Sequence, residues 1–168
     1  MDRKRFDSLC ASCGIEPAYR DVWGNERIVP DETRLALLRA MGLSVASDRD
    51  VETALAARDA QAWRRMLPQT RVARSGTGPF EIDVVLEDRH AKTRFECGLV
   101  TEDGARRAHA FVPAEQPRTG QRLLDGSPYT SYRLALGELP PCGYHRLEIA
   151  PLENSAAPRA TMALVTIS

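Results

Sequence analysis

The sequence predicts an α+β chain. An N-terminal helical cap of about three helices fills residues 1–67, and an immunoglobulin-like antiparallel β-sandwich of about seven strands fills 68–168. Two observations carry this reading: apolar residues recur at helical spacing as far as Leu67, and beyond Pro68 they alternate with polar ones at a period of two. A third selects a sandwich over an open sheet. Short alternating stretches separated by turn signals crowd into about 100 residues, and two such apolar faces can cover each other. With 168 residues, 43% hydrophobic and 27% charged, the chain suits one compact domain or two small ones sharing an interface, and a folded chain is expected.

The first helix is expected over Asp2–Cys13. Phe6, Leu9, Cys10 and Cys13 stand at i, i+3, i+4 and i+7, one face of a helix, and Gly14 can take the left-handed conformation that lets Ile15 fold back on the last turn. That spacing also accounts for the CxxC at Cys10 and Cys13. A thioredoxin-type dithiol needs a strand just before the pair and a helix just after it, whereas this pair lies inside the helix. A structural zinc needs four ligands, and Cys97 and Cys142 stand apart, each in or beside a strand. No metal and no cofactor is expected.

A link punctuated by proline and glycine, EPAYRDVWGNERIVP, leads to a second helix over Asp31–Met41. Pro30 sits at or just before its first turn, Asp31 and Glu32 lie at the positive end of the dipole, and Gly42 terminates it. Leu35, Leu38 and Met41 form its apolar stripe. Ser47 caps a third helix over Asp48–Leu67, with Val51, Ala54, Leu55, Trp63, Met66 and Leu67 inward and Pro68 as its end.

The strands are expected at Arg71–Arg74, Phe80–Leu86, Phe95–Leu99, Ala108–Val112, Ser131–Leu136, His145–Ile149 and Thr161–Ile167. SGTGP, EDG at Glu102–Gly104, LDGSP at Leu124–Pro128 and the polar stretch Glu153–Arg159 read as turns. Within LPPCGYHRLEI, Tyr144 stands where sandwich folds place a corner tyrosine, its ring buried and its hydroxyl on a backbone partner. His145 shares parity with Leu147 and Ile149 and reads as a satisfied, partly buried histidine. Tyr144 then falls on the opposite parity, so either a bulge intervenes or its ring faces outward.

Lys+Arg and Asp+Glu both total 23, so no basic excess argues for nucleic acid or an anionic membrane. No apolar run reaches the length of a signal core or of a membrane span, and a cytoplasmic location is expected. Glu81 and Asp83 share a strand face that reads as solvated, not as the buried carboxylate pair of a glycosidase. His90, His109 and His145 have no nucleophile elbow around them. No catalytic residue is assigned.

Two longer segments, IVPDETRLALLRAMG at Ile28–Gly42 and LGELPPCGYHRLEI at Leu136–Ile149, together with WRRMLP at Trp63–Pro68, carry a family resemblance. Their order and spacing resemble the region that bacterial 4-alpha-glucanotransferases (amylomaltases, the MalQ family) carry ahead of their catalytic barrel. The resemblance implies a following (β/α) barrel that breaks an α-1,4-glucan bond through an aspartate nucleophile, a glutamate acid/base and a second aspartate. Such a barrel needs about 250 residues. There is no room for it after Ile149, so Thr161–Ser168 is expected to be the last sandwich strand. The resemblance therefore implies a non-catalytic N-terminal module whose partner is the barrel of the same polypeptide, which it packs on and supports.

Two other readings stand beside that one. In a carbohydrate-binding module, exposed aromatic rings would stack on maltodextrin; Tyr19 and Trp23, four apart in the link, are the best candidates, followed by Tyr129 and Tyr132. The plainer reading makes Trp23 a plug between helices and sheet. A free-standing interaction domain, or a homodimer, is the remaining expectation.

Overall fold

The computed structural model describes residues 2–74, 79–153 and 156–168. These fall into two compact units, Met1–Gln61 and Ala62–Ser168. The SGTGP turn, apart from Pro79, and positions 154–155 of the polar stretch lie outside the described residues.

In the first unit, α1 (Arg3–Ser12) starts where the Asp2 carboxylate accepts from the Lys4 and Arg5 N–H groups at 3.0 and 3.3 Å. It ends in a Schellman turn: Gly14, at φ +73°, donates to the Ala11 carbonyl while Ile15 donates to Cys10 at 2.9 Å. Gly42 and Leu43 close α2 (Asp31–Ala40) in the same way, donating to Arg39 and Leu38. Phe6, Leu9, Cys10, Ile15, Leu38, Val45 and Val51 form the core of this unit. Cys10 is a buried free thiol, as the helical spacing predicts.

The stripe of α2 differs from expectation. Arg34 and Leu38, one turn apart, face inward, while Met41 lies past the last helical residue and is exposed. The link is also more ordered than a coil, for β1 (Ala18–Arg20) and β2 (Glu26–Ile28) pair antiparallel as a hairpin. Helix α3 (Asp48–Trp63) opens on a reciprocal cap, in which Asp50 N–H donates to Ser47 Oγ and the Asp50 carboxylate accepts from the N–H groups of Ser47 and Ala46. It stops at Trp63, short of the predicted Leu67. Met66 and Leu67 have left the helix to join the sandwich core, and the Met66 carbonyl accepts from Val85 N–H at 3.0 Å.

The second unit is the β-sandwich. Its strands are β3 (Thr70–Arg74), β4 (Phe80–Glu87), β5 (Phe95–Val100), β6 (Arg106–Phe111), β7 (Arg118–Leu124), β8 (Ser127–Gly137), β9 (Gly143–Pro151) and β10 (Ala160–Ile167). One sheet has the order β3-β10-β9-β5-β6 and the other β4-β8-β7. Alternate residues of both sheets meet in one core: Phe80, Ile82, Val84 and Leu86 from β4 with Phe95, Leu147, Ile149, Met162 and Leu164 from the larger sheet. Two details depart from the sequence reading. Strand β7 is additional, its residues mostly exposed and without alternation. Strand β3 pairs parallel with β10, where an all-antiparallel sheet was expected.

Tyr144 is not a buried corner residue. It is 72% exposed, because the inward parity of β9 belongs to His145, Leu147 and Ile149. His145 pins this corner instead. Its Nδ1 accepts from Glu102 N–H at 3.2 Å and its Nε2 donates to the Pro141 carbonyl at 2.8 Å, an arrangement that places the ring proton on Nε2. The Glu102 carboxylate in turn accepts from Tyr144 N–H at 3.1 Å.

Candidate functional site

The hairpin of β1 and β2 holds both aromatic residues singled out from the sequence. Its turn is organised by Asp21, whose Oδ1 accepts from the N–H groups of Trp23 and Asn25 at 3.0 and 2.9 Å, and whose Oδ2 accepts from Arg27 Nε at 3.0 Å. Burial opposes ionisation of this carboxyl, but the donors from Asn25, Arg27 and Trp23 outweigh it and hold its pKa below the ordinary aspartate value. Gly24, at φ +84°, donates to the Asp21 carbonyl and reverses the chain.

With the turn's polar groups satisfied internally, its apolar side chains are left outside. Trp23 is 80% exposed and Ile28 81%, and Tyr19 and Val22 are exposed with them. The expected plug role of Trp23 is therefore not observed. In the register, Ala18 faces Ile28 and Tyr19 faces Arg27, so Tyr19 and Ile28 leave opposite faces of the ribbon. Val22 and Ile28 were missed from sequence. The turn signal that frames them, Asp21 to Gly24 between two short β-prone stretches, was present.

The second aromatic pair offers no comparable surface. Tyr132 is 2% exposed within the sandwich and Tyr129 is half-buried. Glu81 and Asp83 lie on the outer face of β4, where Arg133 Nε donates to Asp83 at 2.7 Å and its Nη1 reaches Glu81 at 3.4 Å. That fork holds both carboxylates as ion-pair acceptors at the surface. Among the described residues, no three His, Cys, Asp or Glu side chains converge to hold a metal, and no helix is long and apolar enough to cross a membrane. What the hairpin can do chemically is cover an apolar partner surface or stack its rings on a sugar.

Residues 66–167, which take in the whole sandwich, match the family described as the MalQ N-terminal beta sandwich domain. The chain belongs to that family. The match begins at Met66, where the chain enters the sandwich core, and leaves the hairpin outside it. Relatives extend further. The 4-alpha-glucanotransferases of Mycobacterium tuberculosis and Mycobacterium bovis are 30% identical over 150 residues, 89% of this chain and 20% of theirs. The amylomaltase from Corynebacterium glutamicum shares the fold over 98% of this chain and 22% of its own, with a TM-score of 0.69 at 23% identity. The chain thus spans about a fifth of the length of the relatives it matches. It corresponds to the N-terminal, non-catalytic region of MalQ-family proteins.

Proposed function

We propose that this chain is the N-terminal module of a cytoplasmic 4-alpha-glucanotransferase, and that it packs on and supports a catalytic (β/α) barrel in the same polypeptide. The enzyme would transfer α-1,4-glucan segments; the module would do no chemistry. The observation that carries this reading is the hairpin, which exposes Val22 and Trp23 at its turn with Ile28 on one face and Tyr19 on the other. Water disfavours such a surface, and a covering domain of the same protein removes it from water.

The test compares two settings. Trp23→Ala and Ile28→Ser in the 168-residue chain alone should change stability by no more than about 0.5 kcal/mol, because neither side chain packs there. In the longer protein the same substitutions should lower the thermal midpoint of the barrel. An unchanged barrel midpoint would remove the supporting role.

The exposure of Trp23 also favours a second reading, in which its ring stacks on maltodextrin. Titration of the chain with maltoheptaose, followed by tryptophan fluorescence, separates the two. Saturation that Trp23→Ala abolishes supports sugar binding, and silence removes it. Sedimentation as a dimer that Ile28→Ser dissociates would assign the hairpin to a second copy.

A further inference from the structure

A concavity of about 440 Å³ opens in the second unit. Its rim carries Arg64, Arg65, Arg89 and Arg159, so four guanidinium groups share one hollow in a chain whose formal net charge is zero. Two of them have counter-charges. Arg64 pairs with Asp125, and Arg89 pairs with Glu87 at 2.8 Å. The guanidinium groups of Arg65 and Arg159 have no hydrogen-bond or ion-pair partner among the described residues, which leaves two positive charges unanswered there.

Comparison with a second concavity of about 430 Å³ shows that this is not a general property of hollows on the sandwich. Arg71, Arg74 and Arg133 line that one, but so do Glu81 and Asp83, which engage Arg133 and would repel an anion. In the first concavity the single lining carboxylate, Glu87, is already committed to Arg89.

We propose that the first concavity is a binding site for a small phosphate monoester. Such a group carries about −1.5 to −2 charges near neutral pH, matching the two unanswered cations. Planar guanidinium forks fit phosphoryl oxygens in pairs, which ammonium groups do not. Thr161 and Tyr129 line the same space, and each carries a hydroxyl of the kind that can donate to the remaining oxygens. Met66, Leu67 and Leu86 also line it and are anchored in the sandwich core, which makes the floor rigid and apolar. A bare phosphate would leave most of the volume empty. A hexose-sized organic group fits beside it, since pockets for small ligands run from about 300 Å³ upward.

Calorimetric titration of the 168-residue chain with glucose 6-phosphate, inorganic phosphate and glucose tests the site. Glucose 6-phosphate should bind saturably and glucose should not. Arg65→Gln and Arg159→Gln should each weaken binding by about tenfold or more, as expected for loss of a charge-assisted bond, with Arg159→Lys between them and the parent. Arg71→Gln, at the other concavity, should leave affinity unchanged. All three positions are exposed, so thermal melts of the variants should match the parent and exclude misfolding. Inorganic phosphate binding as tightly as the ester would identify free phosphate as the source and keep the phosphoryl site. Absence of saturation, equal affinity for glucose, or indifference to Arg65→Gln and Arg159→Gln would each overturn it.

Discussion

The guanidinium carbon of Arg34 lies 4.7 Å from the centroid of the Phe6 ring. Arg34 is 1% exposed, and it also reaches Asp7 at 2.8 Å and Asp31 at 3.3 Å. Burial pulls its pKa down, but Asp7, Cys10 and Asp31 outweigh that and raise it. Asp31 and the outer part of Asp7 are exposed, but Asp7 Oδ1, the atom that Arg34 engages, is buried, so losing the arginine costs packing and a charge partner together. Arg34→Met, which keeps most of the volume and loses the cation–π contact, should cost about 1–2 kcal/mol in urea denaturation. Arg34→Ala should cost about 3 kcal/mol by also opening a cavity. Equal costs would mean that charge, not packing, dominates.

Acid should weaken the helical unit. The Arg34 hydrogen bond, against opposing desolvation, holds the Asp7 carboxyl below its ordinary 3.8, and the Ser47 side chain with the Ser47 and Ala46 N–H groups does the same for Asp50. A carboxyl with a depressed folded pKa contributes stability in full above its unfolded value and loses it as pH falls through the folded value. The urea midpoint, followed by helical circular dichroism, should stay flat down to about pH 5 and fall below about pH 4. Asp50→Asn should flatten that fall. A midpoint that rises on acidification would contradict both assignments.

Gly143 should resist substitution. Its φ is +152°, and an added Cβ would clash with Glu102 Oε2. Gly143→Ala should therefore cost about 1–2 kcal/mol. Glu102 is a flexible tip that also accepts from Tyr144 N–H, so Glu102→Ala and Gly143→Ala should be less than additive in a double-mutant cycle. Full additivity would show that the two residues do not share this corner.

The four free thiols should separate by burial. Burial, with a smaller contribution from Glu96, pushes the Cys97 thiol up to about 12, and burial also raises Cys10. Since the thiolate is the reactive form, an aromatic disulfide reagent at mildly alkaline pH should modify exposed Cys142 first and half-buried Cys13 more slowly. Cys10 and Cys97 should react only after denaturant. Fast labelling of Cys97 in the native chain would show that β5 opens readily.

Legibility followed burial. Strands β4 and β9 could be read because their alternating side chains are buried on one face, and the Gly14 and Gly42 stops could be read because both ends need a left-handed residue. Strand β7, mostly exposed, has no alternation, and the short β1 and β2 are held by Asp21's turn bonds, not by a core. The end of α3 was overextended because Met66 and Leu67 are apolar at helical spacing, and that spacing does not reveal which core they enter. For the candidate site, the sequence singled out Tyr19 and Trp23 but left Trp23 open between an exposed ring and a buried plug, because a four-residue spacing in a turn does not say what packs on it.

Local rules, periodicity, caps and turn glycines were enough to place helices before a sandwich, because each acts within a few neighbouring residues. The parallel pairing of β3 with β10, the outward ring of Tyr144, the burial of Arg34 under Phe6 and the gathering of Arg65 with Arg159 came from the folded chain. Each depends on segments far apart in sequence meeting in space, and that meeting is governed by the packing of whole faces, which no short window of residues contains.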